Sequence, residues 1–316
     1  MKHLNNIKGS AFLCLAALIW GLAFVAQSQA ADKVPPFLFN ALRSFIGAAF
    51  LFLLLLLRRF KSHTPIFPTE APSRRQMLVG GALCGLFLAI SVNFQQFGLA
   101  SYPAGAASEA RGGFLTALYV VLVPIISVFL GKRIKLPMWG AVIIAIGGIY
   151  LLSLSGGIES LYLGDVLMFF CAISFSLHIL VVDRYAAPVG GILLSMMQFV
   201  VCGLLSLLLS LILEQNLISL QNVLAATPQI LYLGIMSSGI AYTLQIVGQR
   251  YADPPIASLS MSLESVFAAL GGWLISGNTL TPKELIGCGL VFGAIILAQI
   301  PQFFESKERK ATPPVD

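Results

Sequence analysis

Residues Ser10–Gln27 read SAFLCLAALIWGLAFVAQ, and residues Leu163–Val182 read LGDVLMFFCAISFSLHILVV. Each is an apolar run of about the length an α-helix needs to cross roughly 30 Å of hydrocarbon. Their last residues stand 155 apart, and that offset also sets Gly9 against Gly164, Ala17 against Ala172, Trp20 against Phe175 and Arg43 against Gln198. Further along the offset shrinks slightly: Ala100 and Pro103 match Ala252 and Pro255, 152 residues on. The chain therefore reads as two related halves. Similar runs fill the space around this pair. In the first half they are Phe37–Leu57, Met77–Leu99, Ala104–Leu130 and Pro137–Leu154; in the second, Gly191–Leu213, Gln229–Gln249, Pro255–Ile275 and Leu285–Phe303. Five spans per half is an odd number, so two halves of one design must enter the membrane from opposite sides. Inverted repeats of this kind build many secondary transporters, with the substrate site near the midplane between the halves. The fold class expected is an all-α polytopic membrane protein of ten transmembrane helices in a 5+5 inverted-topology repeat. Residues 1–157 would form the first repeat, 158–304 the second, and 305–316 a cytoplasmic tail.

Composition excludes the soluble classes. Of 316 residues, 58% are hydrophobic and only 10% charged, against roughly 25% charged in a soluble domain; the mean hydropathy is +0.90. Cys14, Cys84, Cys171, Cys202 and Cys288 are scattered singly inside apolar runs, with no C-x-x-C spacing. That pattern fits small packing residues better than a metal site or a disulfide framework. A net charge of +6 would suggest nucleic acid in a soluble protein, but the placement of the charges gives another reason. Lys and Arg accumulate in cytoplasmic loops. With the N-terminus inside, fifteen of the nineteen fall in inner segments, from Lys2 and Lys8 to Lys307, Arg309 and Lys310. Only Lys33 and Lys283 are outside, while Arg43 and Arg111 lie within spans. Both termini are thus expected in the cytoplasm. A cleavable signal peptide ending near Ser28-Gln29-Ala30 would delete the first span and invert this assignment, so it is the weaker reading. Connectors are short, and the longest, Arg58 to Gln76 with Pro65, Pro68 and Pro72, is expected to lack fixed structure.

Several stretches resemble the EamA-type branch of the drug/metabolite transporter superfamily. Leu18-Ile19-Trp20-Gly21-Leu22-Ala23-Phe24-Val25 resembles its first-helix signature, and Ala41-Leu42-Arg43-Ser44-Phe45 its second-helix arginine motif. Gly113-Phe114-Leu115-Thr116-Ala117-Leu118-Tyr119-Val120-Val121 with Pro124 is similar to its fourth helix, and Leu263-Glu264-Ser265-Val266-Phe267 through Trp273 to its ninth. The likeness runs over about residues 8 to 303. Ser265 stands where many relatives have proline, Asn278 where many have glutamate, and Lys132 at the related place after the fourth helix. The resemblance implies a multi-pass carrier of the plasma (bacterial inner) membrane. Such carriers mostly export small metabolites such as amino acids and hydrolyse no ATP, and the chain has no G-x-x-x-x-G-K-[ST].

Ionisable groups inside spans are unfavourable by about 2.5–3.5 kcal/mol on insertion scales, so they face a cavity or a partner. Glu264 lies about 15 Å by helical rise from either end of its span. It is a candidate proton carrier, a contact for a substrate ammonium, or half of a structural ion pair. Arg43 and Glu109 share a depth in the outer halves of spans two and four and are expected to pair, either locking two helices or serving an outer gate. Arg111, nearby, can instead snorkel to the interface. Asn93, Gln95 and Gln96 in span three are echoed by Gln245 and Gln249 in span eight, as cavity lining or as polar glue between helices. His178 is a lone histidine, suited to a packing hydrogen bond or, less well, to proton relay. Trp20, Tyr119, Phe267 and Trp273 are candidate aromatic walls. Gly81/Gly85 and Gly289/Gly293 are G-x-x-x-G pairs suited to close helix contact.

The function expected is secondary transport of a small, amino-acid-like molecule by alternating access, with a proton as the candidate coupling ion. No cofactor, metal or nucleic acid is implied, and monomer and homodimer remain open. A lipid or polyprenol flippase would share the scaffold, and a lateral opening between helices would favour it. An intramembrane enzyme is disfavoured, since D-D-x-x-D and H-E-x-x-H are both missing from the sequence.

Overall fold

A computed structural model describes residues 2–62, 65–129, 136–154, 161–251 and 254–311. Every element among them is helical. The first half of the chain gives α1 (Lys2–Ala31), α2 (Pro36–Ser62), α3 (Ala71–Ala100), α4 (Ser108–Thr116), α5 (Tyr119–Phe129) and α6 (Leu136–Ile149), the last continued by a π-helical turn, Tyr150–Leu154. The second half gives α7 (Leu163–Val189), α8 (Gly191–Leu213), the short α9 (Leu220–Ala225) and α10 (Thr227–Leu231), α11 (Tyr242–Tyr251), α12 (Pro254–Ser276) and α13 (Pro282–Ala311). Among the described residues, five segments are long and apolar enough to cross a membrane: Ala11–Ala31, Pro36–Lys61, Ala71–Ala100, Leu163–Val182 and Gly191–Leu213. They coincide with the first three runs of the first half and the first two of the second.

Three expectations change on contact with the backbone. The run Ala104–Leu130 is not one helix: α4 gives way to α5 at Ala117–Leu118, where Leu118, Val120 and Val121 donate to carbonyls three residues back, the tighter winding of a 3₁₀ turn. The run Gln229–Gln249 opens into a π-helical stretch, Tyr232–Ala241, between α10 and α11. Its small residues meet α2 closely: a Cβ on Gly234 would lie within 2.6 Å of Ile46 Cβ, and one on Gly47 2.7 Å from Ser238 Cβ. The Arg58–Gln76 connector is largely helical, since α2 runs to Ser62 and α3 begins at Ala71. Pro72 sits in the first turn of α3, where its missing N–H has no intrahelical partner to lose.

Helices from the two halves interlock. α1 packs on α12, α2 on α8, α3 on α7 and α6 on α13. Glycines set the closeness. A Cβ on Gly21 would lie 2.9 Å from both Ala268 N and Glu264 O of α12. Gly148 and Gly287 face each other reciprocally: a Cβ on either would lie within 2.9 Å of the other's carbonyl oxygen. Gly81 and Gly85 behave as their spacing suggests, pressed against Met197 and Val201 of α8. Gly289 and Gly293 do not: nothing lies within 4 Å of a Cβ at either position, because α13 turns Gly287 toward α6 and leaves the other two facing open space. Gly190, at φ +88°, takes the left-handed conformation that lets the chain pass from α7 to α8 through one residue.

The remaining apolar surface points outward. Phe52, Leu53 and Leu57 on α2, Ile143 and Ile146 on α6, and Leu208, Leu211 and Ile212 on α8 are all exposed. Patches of this extent would promote association in water, whereas lipid requires them.

Candidate functional site

One interior region gathers the centres of several helices. Trp20 of α1 donates its indole N–H to the Ser237 carbonyl in the π-helical stretch at 3.3 Å, and its ring meets Tyr242 edge-on at 5.3 Å. Phe199 of α8 closes on the same tyrosine, also at 5.3 Å. Arg43, buried on α2, donates to Gln27 Oε1 at 3.2 Å and lies 6.0 Å from the Phe39 ring centre. It sits within electrostatic reach of Tyr242, Cys171 and Cys202. Glu264 on α12 lies within electrostatic reach of Tyr119, Cys171 and Tyr242. A cation and a carboxylate thus both act on Cys171 and Tyr242. Among the described residues neither is in an ion pair.

Arg43 and Glu109 do not pair. Glu109 points toward α12, accepting from Ser276 Oγ and Asn278 Nδ2, both at 2.8 Å, and from Ser108 Oγ at 3.1 Å. The expected equal depth on neighbouring spans said nothing about azimuth, and the two side chains meet different partners, Gln27 for Arg43 and Ser276 with Asn278 for Glu109. Arg111 does not snorkel either. It is buried, with its guanidinium 2.8 Å from Asp165 of α7 and 2.5 Å from Glu284 of α13, and 4.8 Å from the centre of the Tyr162 ring.

Asp165, Glu284 and Tyr102 are the residues that sequence reasoning passed over. Tyr102 donates to Asp165 Oδ1 at 2.8 Å, and the Tyr162 N–H to Oδ2 at 3.2 Å. Glu284 is also half of a capping box, with the Thr281 N–H and hydroxyl both 2.9 Å from Oε2; the T-x-x-E spacing was the readable signal. Burial works against the Glu284 charge, but the Thr281 donors and the Arg111 guanidinium outweigh it and hold the carboxyl below its usual range. Burial beside Asp165 pushes the Tyr102 phenol well above its usual range.

The span-three amides tie helices together. Asn93 receives the Asn40 amide at 2.8 Å and donates to Ser206 at 3.0 Å, joining α2, α3 and α8. Gln95 donates to Thr116 at 3.4 Å and Gln96 to the Gln27 carbonyl at 3.0 Å; the Gln96 carbonyl oxygen is buried without a partner among the described residues. His178 meets Gln198 at 2.9 Å between α7 and α8. Gln245 is half-buried on α11, while the side chain of Gln249 and the whole of Lys132 fall outside the described residues. Trp273 faces outward, at the mouth of a crevice of about 630 Å³ between α4, α12 and α13 that also holds Glu109.

The sequence profile of the EamA-like transporter family matches the chain twice, over residues 7–154 and 162–299. The chain is 30% identical over 290 residues to an uncharacterized transporter of Archaeoglobus fulgidus, covering 91% of this chain and 84% of that one. It is 24% identical over 293 residues to the uncharacterized inner membrane transporter YedA of Escherichia coli K12, covering 90% and 89%. A crystal structure shares the fold at a TM-score of 0.63 and 22% identity, over 93% of this chain and 97% of the other. Two family matches that between them fill the chain, on an all-helical structure with membrane-length helices, lead to one conclusion: the chain belongs to the EamA-like transporter family, a family of membrane transporters.

Proposed function

We propose that the chain is a secondary carrier of the plasma (bacterial inner) membrane that exports a small amino-acid-like molecule by alternating access. On this reading its ten spans form two inverted repeats, residues 1–157 and 158–304, followed by a tail at 305–316, and both termini are cytoplasmic. The observation that carries it is the unpaired cation and carboxylate of the interior. Arg43 and Glu264 both lie within electrostatic reach of Tyr242 and Cys171, yet each lacks an ionic partner among the described residues. Arg43 is buried and Glu264 half-buried; a charge held from water without a counter-charge is costly, and a zwitterion supplies both at once: its carboxylate to Arg43, its ammonium to Glu264. Trp20 and Tyr242 give the apolar walls, and the π-helical stretch beside them has the winding that recurs at functional sites. Glu264 also has the position for a coupling proton, which would leave when the ammonium arrives. Where inverted-repeat carriers place substrate and coupling ion, near the midplane, is where Glu264 lies along its span. The Arg111–Asp165–Glu284 cluster joins α4 to α7 and α13 and serves in this scheme as the outer gate, broken when the cavity opens outward.

The test uses purified protein and single L-amino acids. A ligand of the folded state raises apparent thermal stability, so one or more amino acids should stabilise the wild type but not Glu264→Gln or Arg43→Gln. In proteoliposomes Glu264→Gln should fold and yet lose most transport of that amino acid together with its pH dependence. Unchanged transport with the same pH profile would reduce Glu264 to packing. A flippase remains the second reading because the α4–α12–α13 crevice opens sideways; transport of a lipid analogue with no response to amino acids would favour it.

A further inference from the structure

The lateral crevice contains a carboxylate that the neighbouring ion cluster does not neutralise. Glu109 is 1% exposed, and its three partners, Ser276, Asn278 and Ser108, are neutral donors. Arg111, two residues on, is engaged by Asp165 and Glu284. Among the described residues no cation stands at ion-pair distance from Glu109. A carboxylate offers about four acceptor positions, so three donors leave one open. The rest of the wall is apolar: Phe114, Leu270, Trp273, Leu285 and Phe292 line it. Trp273 and Leu285 are exposed at its mouth. Gly289 widens it, with nothing within 4 Å of where a Cβ would stand. The volume, about 630 Å³, falls within the roughly 300–1,000 Å³ of small-molecule sites.

We infer that this crevice is a lateral binding site for an amphiphile with an ammonium head. The ammonium lies against Glu109, with Asn278 at the rim, and the hydrocarbon tail runs along Trp273, Phe292 and Gly289. Charge complementarity selects a cation, because the carboxylate is short of positive charge and has a free acceptor position. The wall selects a chain: the aromatic faces of Trp273 and Phe292 favour hydrocarbon and add attraction for the cation itself. The head can belong to a membrane lipid or to a free amphipathic amine. The site lies apart from Arg43 and Glu264 and does not depend on what the interior carries.

The test measures binding rather than transport. Full-length protein is placed in nanodiscs of phosphatidylglycerol, which has no ammonium, and titrated at neutral pH with octylamine or with octanol, its neutral counterpart of equal chain length. Octylamine should produce a saturable change in indole emission that disappears in Trp273→Phe, and octanol should not. Glu109→Gln should weaken octylamine binding by about tenfold or more, the scale of a desolvated ion pair. Gly289→Leu fills the crevice with a better helix former, so it should fold as well as the wild type and abolish the signal. Adding phosphatidylethanolamine identifies the source: a raised half-saturation concentration for octylamine means the lipid head competes, an unchanged one that the site takes free amines, and either result upholds the site. Octanol titrating like octylamine, Glu109→Gln binding as the wild type does, or a folded Gly289→Leu that still binds would each overturn it.

Discussion

Replacing Arg111 with methionine asks how much of this protein is held by one guanidinium. Its side chain is 5% exposed and its partners Asp165 and Glu284 are 2% and 14% exposed. Methionine keeps much of the apolar stem and removes every donor. Two carboxylates are then left without their shared cation, Asp165 with Tyr102 and the Tyr162 N–H, and Glu284 with Thr281. Breaking a buried pair from one side destabilises by about 3–5 kcal/mol, since the other charge is stranded. The surviving donors bring the expected loss to the lower end, about 3 kcal/mol. Neutralising the stranded acids should return most of it. Arg111→Met with Asp165→Asn and Glu284→Gln should stand within roughly 1 kcal/mol of the wild type, as replaced buried ion networks commonly do. Burial ranks the two pairs: coupling of Arg111 to Asp165 should be about 2 kcal/mol, and to the more exposed Glu284 about 1 kcal/mol or less. Equilibrium unfolding in mixed micelles, followed for all members of both double-mutant cycles, supplies these numbers. Additive losses, or a stronger coupling to Glu284 than to Asp165, would refute the reasoning.

The remaining expectations concern pH and orientation. Glu284 has its carboxyl held below the ordinary value near 4.5, so the stability it contributes is present above that value and lost as pH falls through the folded-state value. The wild type should therefore be more stable than Glu284→Gln at neutral pH, and the gap should close as unfolding is measured at pH below about 4.5; a gap that persists under acid would mean the charge is irrelevant. After replacement of the five native cysteines, a cysteine at Ser160 or Gln215 should react with an impermeant thiol reagent from outside intact cells, and one at Ser62 or Ser306 should not. Labelling of position 62 from outside would invert the proposed topology.

Much of the architecture was written in the hydropathy. Apolar runs of membrane length became α1, α2, α3, α7 and α8 with ends within about five residues, except where α1 and α3 reach further toward the N-terminus and α7 runs on to Val189, because length and composition suffice to specify a helix that lipid will accept. The breaks were not legible. The Ala117–Leu118 turn and the π-helical Tyr232–Ala241 stretch depend on which neighbour each small residue meets, as Gly47 meets Ser238 and Gly239 meets Phe50. Span depth alone left the directions of Glu109, Arg111 and Arg43 around their helices undetermined. That is why the expected Arg43–Glu109 pair dissolved into an Arg111–Asp165–Glu284 cluster and a Glu109 held by Ser276 and Asn278. Asp165 and Glu284 were overlooked because an acid in the first turn of a helix is so well explained by the helix dipole that it draws no further question.

The contrast between the two buried arginines is the step that connects packing to transport. Arg111 has two acids, an aromatic face and a place where three helices meet; its charge is accounted for within the chain. Arg43 has the side-chain oxygen of Gln27 and two thiols and a phenol within electrostatic reach, while the carboxylate of Glu264 acts on Cys171 and Tyr242 without pairing with Arg43 among the described residues. A protein that needed Arg43 only for stability would gain by placing an acid beside it, as it does for Arg111, or by replacing it with a hydrocarbon side chain, which in buried settings is often neutral or favourable. It does neither. A stable internal pair would also have to be broken each time a charged solute passed, whereas two separated, weakly satisfied charges can exchange a solute without first losing each other. On the proposed function, the residues that leave the interior electrostatically incomplete would be those that bind and release the solute, and the fully satisfied cluster at Arg111 would hold the two halves together until they do.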